Sequence, residues 1–316
     1  MPNLDSIIVG GEQPLATGLV RFAVIGDFGE QDNDFPKEGR VPEFVKDWDP
    51  DFIISLGDSA YSDHNPNQNA FERDVLKYYG DYIKSAATDP SGTQTRFFPA
   101  IGNHDYHSSG EDIWPPRWQA YQDAFAVPSG PGGHHYYEFA RGPVRFFVLD
   151  SNPVEKSKYI KKNSDQWKWL DERVAAATER WKLAIFHHSP YHSTKHNEND
   201  TWMDQWVLES RGLAAAIAGH SHIYQRVMKG SFPFITNGAG GNSFEAAKSS
   251  TLAGTAVIYD KVAAAKQGLG GKTRGAILAE ATADTLTLEF WTVGAVHQDR
   301  WPEDAPPLTR TPQPVS

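Results

Sequence analysis

No cysteine occurs anywhere in the 316 residues. That single absence excludes disulfides, thiolate metal ligands and a cysteine nucleophile, so any metal must be held by His, Asp, Glu, Asn or Tyr. It leaves the redox compartment open. Long apolar runs are missing too: no stretch approaches the ~20 residues that span a bilayer. The opening residues MPNLDSIIVGGE lack a basic segment followed by an apolar core, so no signal peptide is visible. A periplasmic or secreted location is then expected only for a chain from which one had been removed. Basic charge is also scarce. The formal net charge of -10 argues against a nucleic-acid backbone as the main partner, which would need clustered Lys and Arg. It does not argue against a small phosphorylated substrate, because bound metal ions supply positive charge locally.

What is present is an ordinary globular composition without internal repeat or linker, read as one domain over residues 1–316. Residues 1–20 form a lead-in and 302–316 a Pro-rich, extended tail. Five short apolar runs stand out, and each ends in a cluster of coordinating residues. Phe22–Ile25 precedes Gly26-Asp27-Phe28-Gly29, and Phe52–Leu56 precedes Gly57-Asp58-Ser59-Ala60-Tyr61. Phe97–Ile101 leads into Gly102-Asn103-His104-Asp105, Leu183–Phe186 into His187-His188, and Leu213–Ala218 into Gly219-His220-Ser221-His222. Runs rich in Ile, Val and Phe and bounded by Gly read as strands buried on both faces.

Helical spacing separates several of them. Ala70, Phe71, Val75, Leu76, Tyr79 and Ile83 fall on one helical face. Asn163 and Gln166 mark a helix start leading into Trp167, Leu170 and Val174, and Asp204–Arg211 reads as a short helix stopped by Gly212. A hairpin is expected around Arg141-Gly142-Pro143, and paired strands around Ala283-Asp284. Gly238–Lys272 reads as loops with one strand near Val257. Strands alternating with helices give an α/β fold, in which loops at the C-terminal ends of strands carry the site.

Asp27, Asp58, Asn103, His188, His220 and His222 offer carboxylates, imidazoles and an amide oxygen. Such donors suit borderline and hard metal ions. A carboxylate shared between two ions holds them ~3.5–4 Å apart, the spacing used for in-line phosphoryl displacement. A lone Gly-Asp after a strand is usually only a turn. Gly-Asn-His-Asp and Gly-His-Ser-His are more specific, since several coordinating types crowd one tight turn. Of the adjacent pair His187-His188, one should be a ligand and the other a packed strand-end residue. The isolated histidines, and His134-His135 after Pro131-Gly132-Gly133, read as non-ligands. Gly238-Ala239-Gly240-Gly241 lacks the helix and Lys of a phosphate loop and reads as a close backbone approach.

The series Asp27-x-Gly29, Gly57-Asp58-x-x-Tyr61, Gly102-Asn103-His104-Asp105, His188-x-Pro190 and Gly219-His220-x-His222 resembles the calcineurin-like metallophosphoesterases. Tyr61, three residues after Asp58, narrows the resemblance to the purple acid phosphatases of the small, single-domain type. The resemblance runs from about residue 20 to 300. It implies two mixed β-sheets packed as a sandwich and flanked by helices. It implies two metal ions: Fe(III) held by Asp27, Asp58, Tyr61 and His222, and a divalent Fe, Zn or Mn held by Asp58, Asn103, His188 and His220. It also implies hydrolysis of phosphate monoesters by a metal-bound hydroxide, with His196 or His192 on the substrate phosphate. His104, oriented by Asp105, would be the leaving-group acid, against an alternative role as a buttress of Asn103. Rival readings are a phosphodiesterase or nucleotide hydrolase on the same site and, from another class, a non-catalytic metal- or phosphate-binding protein.

Overall fold

The computed structural model describes residues 18–29, 40–61, 71, 75–106, 115–152, 160–192, 194, 201–241, 256–260 and 274–314. Its strands, in chain order, are β1 (Val20–Ile25), β2 (Phe52–Ser55), β3 (Phe97–Pro99), β4 (Tyr137–Arg141), β5 (Val144–Val148), β6 (Trp181–His188) and β7 (Ala215–Gly219). They continue with β8 (Tyr224–Lys229), β9 (Phe232–Asn237), β10 (Ala256–Asp260), β11 (Gly275–Ala281), β12 (Leu286–Thr292) and β13 (His297–Trp301). Two mixed sheets result. One is six-stranded in the order β13-β12-β11-β1-β2-β3, the other seven-stranded in the order β10-β8-β9-β7-β6-β5-β4.

The two sheets share one apolar core. Val20, Phe22, Val24, Phe52 and Ile54 from the first meet Phe139, Phe146, Leu183, Ile185 and Ile217 from the second, all buried. Phe22 stacks on Phe52 at 5.4 Å and meets Phe146 edge-on at 5.2 Å. The outer faces are covered in turn. Helix α1 (Arg40–Trp48) places Val41, Phe44, Val45 and Trp48 against the first sheet. Pro42 is tolerated there because the first turn has no intrahelical bond to lose. Helix α2 (Pro115–Ala124) adds Tyr121 to the same layer, and helix α3 (Asp165–Ala176) covers the second sheet with Trp167, Leu170 and Val174.

The expected cap of α3 shifts by one residue. Ser164 Oγ accepts from Trp167 N at 3.1 Å, while Asn163 takes a positive φ of 68° just before it. Asp204–Arg211 is not an α-helix; the chain runs as 3-10 turns over Thr201–Trp206 and Leu208–Ser210. The β4–β5 and β11–β12 hairpins form where expected. The tail is not merely extended: Leu308 is buried, Thr309 N donates to Glu280, and Trp48 Nε1 donates to Arg310 O.

Register is what positions the site. In the first sheet Ile25 lies beside Ser55 and Ser55 beside Pro99, so β1, β2 and β3 end level with one another. In the second, Val148 lies beside Ile185, Ile185 beside Ile217, and His188 beside Gly219. All the sequence clusters therefore emerge on one edge of the sandwich. Hydrogen bonds cross between the sheets there: His187 Nδ1 to Leu56 O at 2.7 Å, Asn152 Nδ2 to Ile101 O at 3.0 Å and Asn237 Nδ2 to Val24 O at 3.0 Å.

Candidate metal centre

Three coordinating residues sit on left-handed backbone: Asp27 at φ 56°, Asp58 at φ 52° and His220 at φ 68°. Each follows a glycine at the end of a strand. For a residue with a Cβ, such a conformation costs on the order of 1–3 kcal/mol and persists only where its surroundings fix it. Here backbone amides do so. His220 N donates to Asp27 Oδ2 and His104 N to Asp58 Oδ1, both at 2.9 Å. Gly102 must be glycine, since a Cβ there would lie 2.2 Å from both Asp58 N and Asp58 Oδ1. At Gly238 a Cβ would lie 2.1 Å from Ser221 O, which bears out the close backbone approach expected at that glycine-rich stretch.

The side chains converge in two groups. Tyr61 Oη lies 3.1 Å from Asp27 Oδ1 and 3.2 Å from His222 Nε2, and the last two are 3.5 Å apart. In the second group Asn103 Oδ1 lies 3.0 Å from His187 Nε2 and 3.1 Å from His220 Nδ1, and these two ring nitrogens are 3.2 Å apart. Asp58 stands between the groups. Its Oδ2 is 3.4 Å from His187 Nε2, and atoms of Asp27, Asp58 and His187 lie within 4.8 Å of one another.

At the end of β6 both histidines reach the site: His187 faces Asn103, His220 and Asp58, and His187, His188 and His220 offer ring nitrogens within 4.8 Å of one another. The pairing of β6 with β7 shifts register between Ile185 and His188, a bulge that re-aims the strand's last side chains. Hydrogen bonding then sets the tautomers. A carbonyl only accepts, so Leu56 O takes a proton from His187 Nδ1 and the Nε2 lone pair points at Asn103 Oδ1, another acceptor. Ser151 Oγ accepts from the backbone N–H groups of His187 and His188, so its hydroxyl proton goes to His188 Nδ1 at 2.9 Å. In this arrangement a neutral His188 ring carries its proton on Nε2, and a metal bound there would displace it. Burial first, then the neighbouring His220 and His187, holds His188 well below the usual histidine range, hence neutral.

Burial and opposite charge act against one another at these groups. Burial works against a charged His187, but Asp58, and Asp27 behind it, bring the imidazole up to about 9. Burial would likewise raise the Asp58 carboxyl, yet His187, with His104 and His220, holds it well below the ordinary range. A proton on His187 thus separates acceptors that otherwise face one another. The same charge can be supplied by a metal, and this donor set fits one.

The remaining expected residues fall out as follows. The His104 ring packs on Tyr61 with centroids 4.5 Å apart, within the site. Asp105 does not pair with it, which corrects the expected catalytic dyad. The Asp105 carboxylate is fully buried and accepts from Ser59 N and Gly102 N, each at 2.9 Å, tying the Asp58 loop to the Asn103 loop. Burial, then the negative Asp58 nearby, pushes Asp105 up to about 7. His192 is also buried. Its Nδ1 meets Ser221 Oγ at 2.8 Å and Thr194 Oγ1 at 3.0 Å, behind the His220–His222 turn. His196 lies outside the described residues. Sequence reasoning missed Ser151 entirely; a lone Ser after a strand carries no signal without its partners.

Comparison with known proteins identifies a family and several relatives. Residues 20–224 match the family model for calcineurin-like phosphoesterases. Purple acid phosphatase 7 of Arabidopsis thaliana is 25% identical over 256 residues, covering 72% of each chain. Human tartrate-resistant acid phosphatase type 5 is 23% identical, covering 71% of this chain and 74% of its own. Among solved structures, purple acid phosphatase PPD1 from yellow lupin seeds superposes with a TM-score of 0.66 at 16% identity. That match covers 89% of this chain but only 53% of the lupin chain. GAP50, the anchor in the inner membrane complex of Plasmodium, matches with a TM-score of 0.53 at 17% identity, over 87% of this chain and 84% of its own.

Proposed function

Because this chain belongs to the calcineurin-like phosphoesterase family, we propose that it is a two-metal phosphatase of the purple acid phosphatase type, acting on small phosphate monoesters. The observation that carries the reading is the pair of donor groups on either side of Asp58, one of them containing a tyrosine hydroxyl. Asp27, Tyr61 and His222 would hold iron(III), a hard ion that favours phenolate and carboxylate. Asn103, His187 and His220 would hold a divalent iron, zinc or manganese ion, with Asp58 shared. The two ions would supply positive charge for the phosphoryl oxygens and acidify the attacking water.

The protein's own part is positioning. Backbone amides hold Asp27 through Oδ2 and Asp58 through Oδ1, and Leu56 O fixes the His187 ring. His104, packed on Tyr61, delivers a proton to the departing alkoxide. A non-catalytic role on the same fold is disfavoured by the completeness of the donor set.

Metal analysis and turnover test the reading together. Two ions per chain are expected, with cleavage of nitrophenyl phosphate that is lost on chelation and restored by metal. A protein that holds two ions and cleaves no monoester, or prefers bis-nitrophenyl phosphate, overturns it.

A further inference from the structure

His135 is not a ligand, yet it is held as functional histidines are. Asp150 is fully buried at the end of β5, and its Oδ2 accepts from His135 Nδ1 at 2.8 Å. Its Oδ1 accepts from Asn152 N at 2.9 Å and from Asn152 Nδ2 at 3.0 Å. Gln166 of α3 grips the Asp150 backbone from both sides, with Asp150 N donating to Gln166 Oε1 at 2.7 Å and Gln166 Nε2 donating to Asp150 O at 2.9 Å. A carboxylate only accepts, so the proton sits on His135 Nδ1 and ring orientation and tautomer are fixed together. Trp118 of α2 packs on the other part of the ring at 4.8 Å, and 17% of the His135 side chain stays open to solvent.

Topology places it beside the metal centre. In the second sheet β7, β6, β5 and β4 are successive neighbours. The start of antiparallel β4 lies at the same edge as the end of β5, Tyr137 pairing with Val148. His135 is therefore two strands from His187, roughly 10 Å at about 4.8 Å per strand. Ser151, next to Asp150, is the residue that holds His187 and His188, and Asn152 bonds Ile101 just before the Asn103 turn. The Asp150–Asn152 segment thus joins the two places.

We propose that His135, set by Asp150 and flanked by Trp118, contacts the alcohol portion of the substrate about 10 Å from His187, selecting phosphoesters whose alcohol is long and carries a flat, hydrogen-bonding ring. The inference rests on the phosphatase reading. It makes His135 a substrate-contact residue, outside the chemistry at phosphorus, so its effect must depend on the length of the alcohol.

The test compares ethyl phosphate with a nucleoside 5′-monophosphate in wild type, His135→Ala and His135→Gln, with metal content and melting temperature measured alongside. Gln can keep an N–H on Asp150, so one variant is expected to fold even if the other does not. The expected result is a roughly tenfold or greater fall in kcat/KM for the nucleotide, chiefly through KM, with ethyl phosphate unchanged. Equal losses on both esters, or no loss on either, overturn the inference while leaving the phosphatase reading standing. A wild type that cleaves neither ester at full metal content overturns the phosphatase reading, and the inference with it.

Discussion

If a proton on His187 occupies the place of the second metal, the two must compete. The His187 imidazole lies at about 9 in the metal-free centre, raised by Asp58 and Asp27 against burial. At pH 7 it is charged, and a divalent ion must displace that proton. Two pH units at 1.36 kcal/mol each cost about 2.7 kcal/mol, a roughly hundredfold loss of apparent affinity relative to pH above 9. Between pH 8 and pH 6 the affinity should fall about tenfold per unit. The assay is calorimetric titration of metal-free protein with zinc in two buffers of different ionisation heat. It should find about one proton released per ion at the second site. The sign for stability runs the same way. A histidine raised from 6.5 to about 9 stabilises the metal-free fold fully below pH 6.5. That contribution fades as pH rises through 9. Asp105, raised from 3.8 to about 7, adds a loss over its own lower window. Melting temperature should therefore decline with pH in the metal-free protein and much less in the loaded one, where the ions replace the proton. Flat affinity between pH 6 and 8, or no proton release at pH 7, would refute the argument.

Tyr61→Phe should retain both ions, since Asp27, Asp58 and His222 remain, but an iron-loaded wild type should be violet or pink and this variant colourless; an iron-loaded wild type without colour removes Tyr61 from the ligand set. His104→Ala should reduce kcat ~10²–10⁴-fold for alkyl phosphates and far less for nitrophenyl phosphate, which leaves unaided; equal losses with depleted metal make His104 a buttress. Asp105→Asn replaces one of two acceptors by a donor facing a buried N–H, which costs ~1–3 kcal/mol. It should lower the melting temperature and loosen both metals more than it slows a fully loaded enzyme; an intact, metal-replete and inactive variant would return Asp105 to the chemistry.

The strands and ligand turns were legible because two local signals coincided in each: an apolar run, and a glycine followed by a coordinating residue. Asp27, Asp58, Asn103 and His220 stood out on those signals and converge in the structure, whereas Tyr61 stood out only through the family resemblance. What failed was whatever depended on a partner far away in sequence. Asp105 reads as the natural companion of His104 one bond away, but its acceptors are taken by Ser59 N and Gly102 N. His135 looks like half of a surface pair until Asp150 is found beneath it. Helix α1 carried a plain apolar spacing in Val41, Phe44, Val45 and Trp48 and could have been read. The role of the tail could not, because Leu308 and Arg310 gain their partners only after α1 and β11 are in place.

The bulge near the end of β6 has a consequence for how such sites change over time. Two adjacent histidines stand at the strand's end, and a register shift sets how each of them is presented to His220 and Asn103. Nothing in the local motif sets this; a spacing of one residue does. Removing a residue from the bulge would present His188 where His187 now stands, with the Ser151 and Leu56 contacts exchanged or broken. The strand thus carries two candidate ligands, and a single-codon deletion there would exchange one for the other without any histidine being mutated.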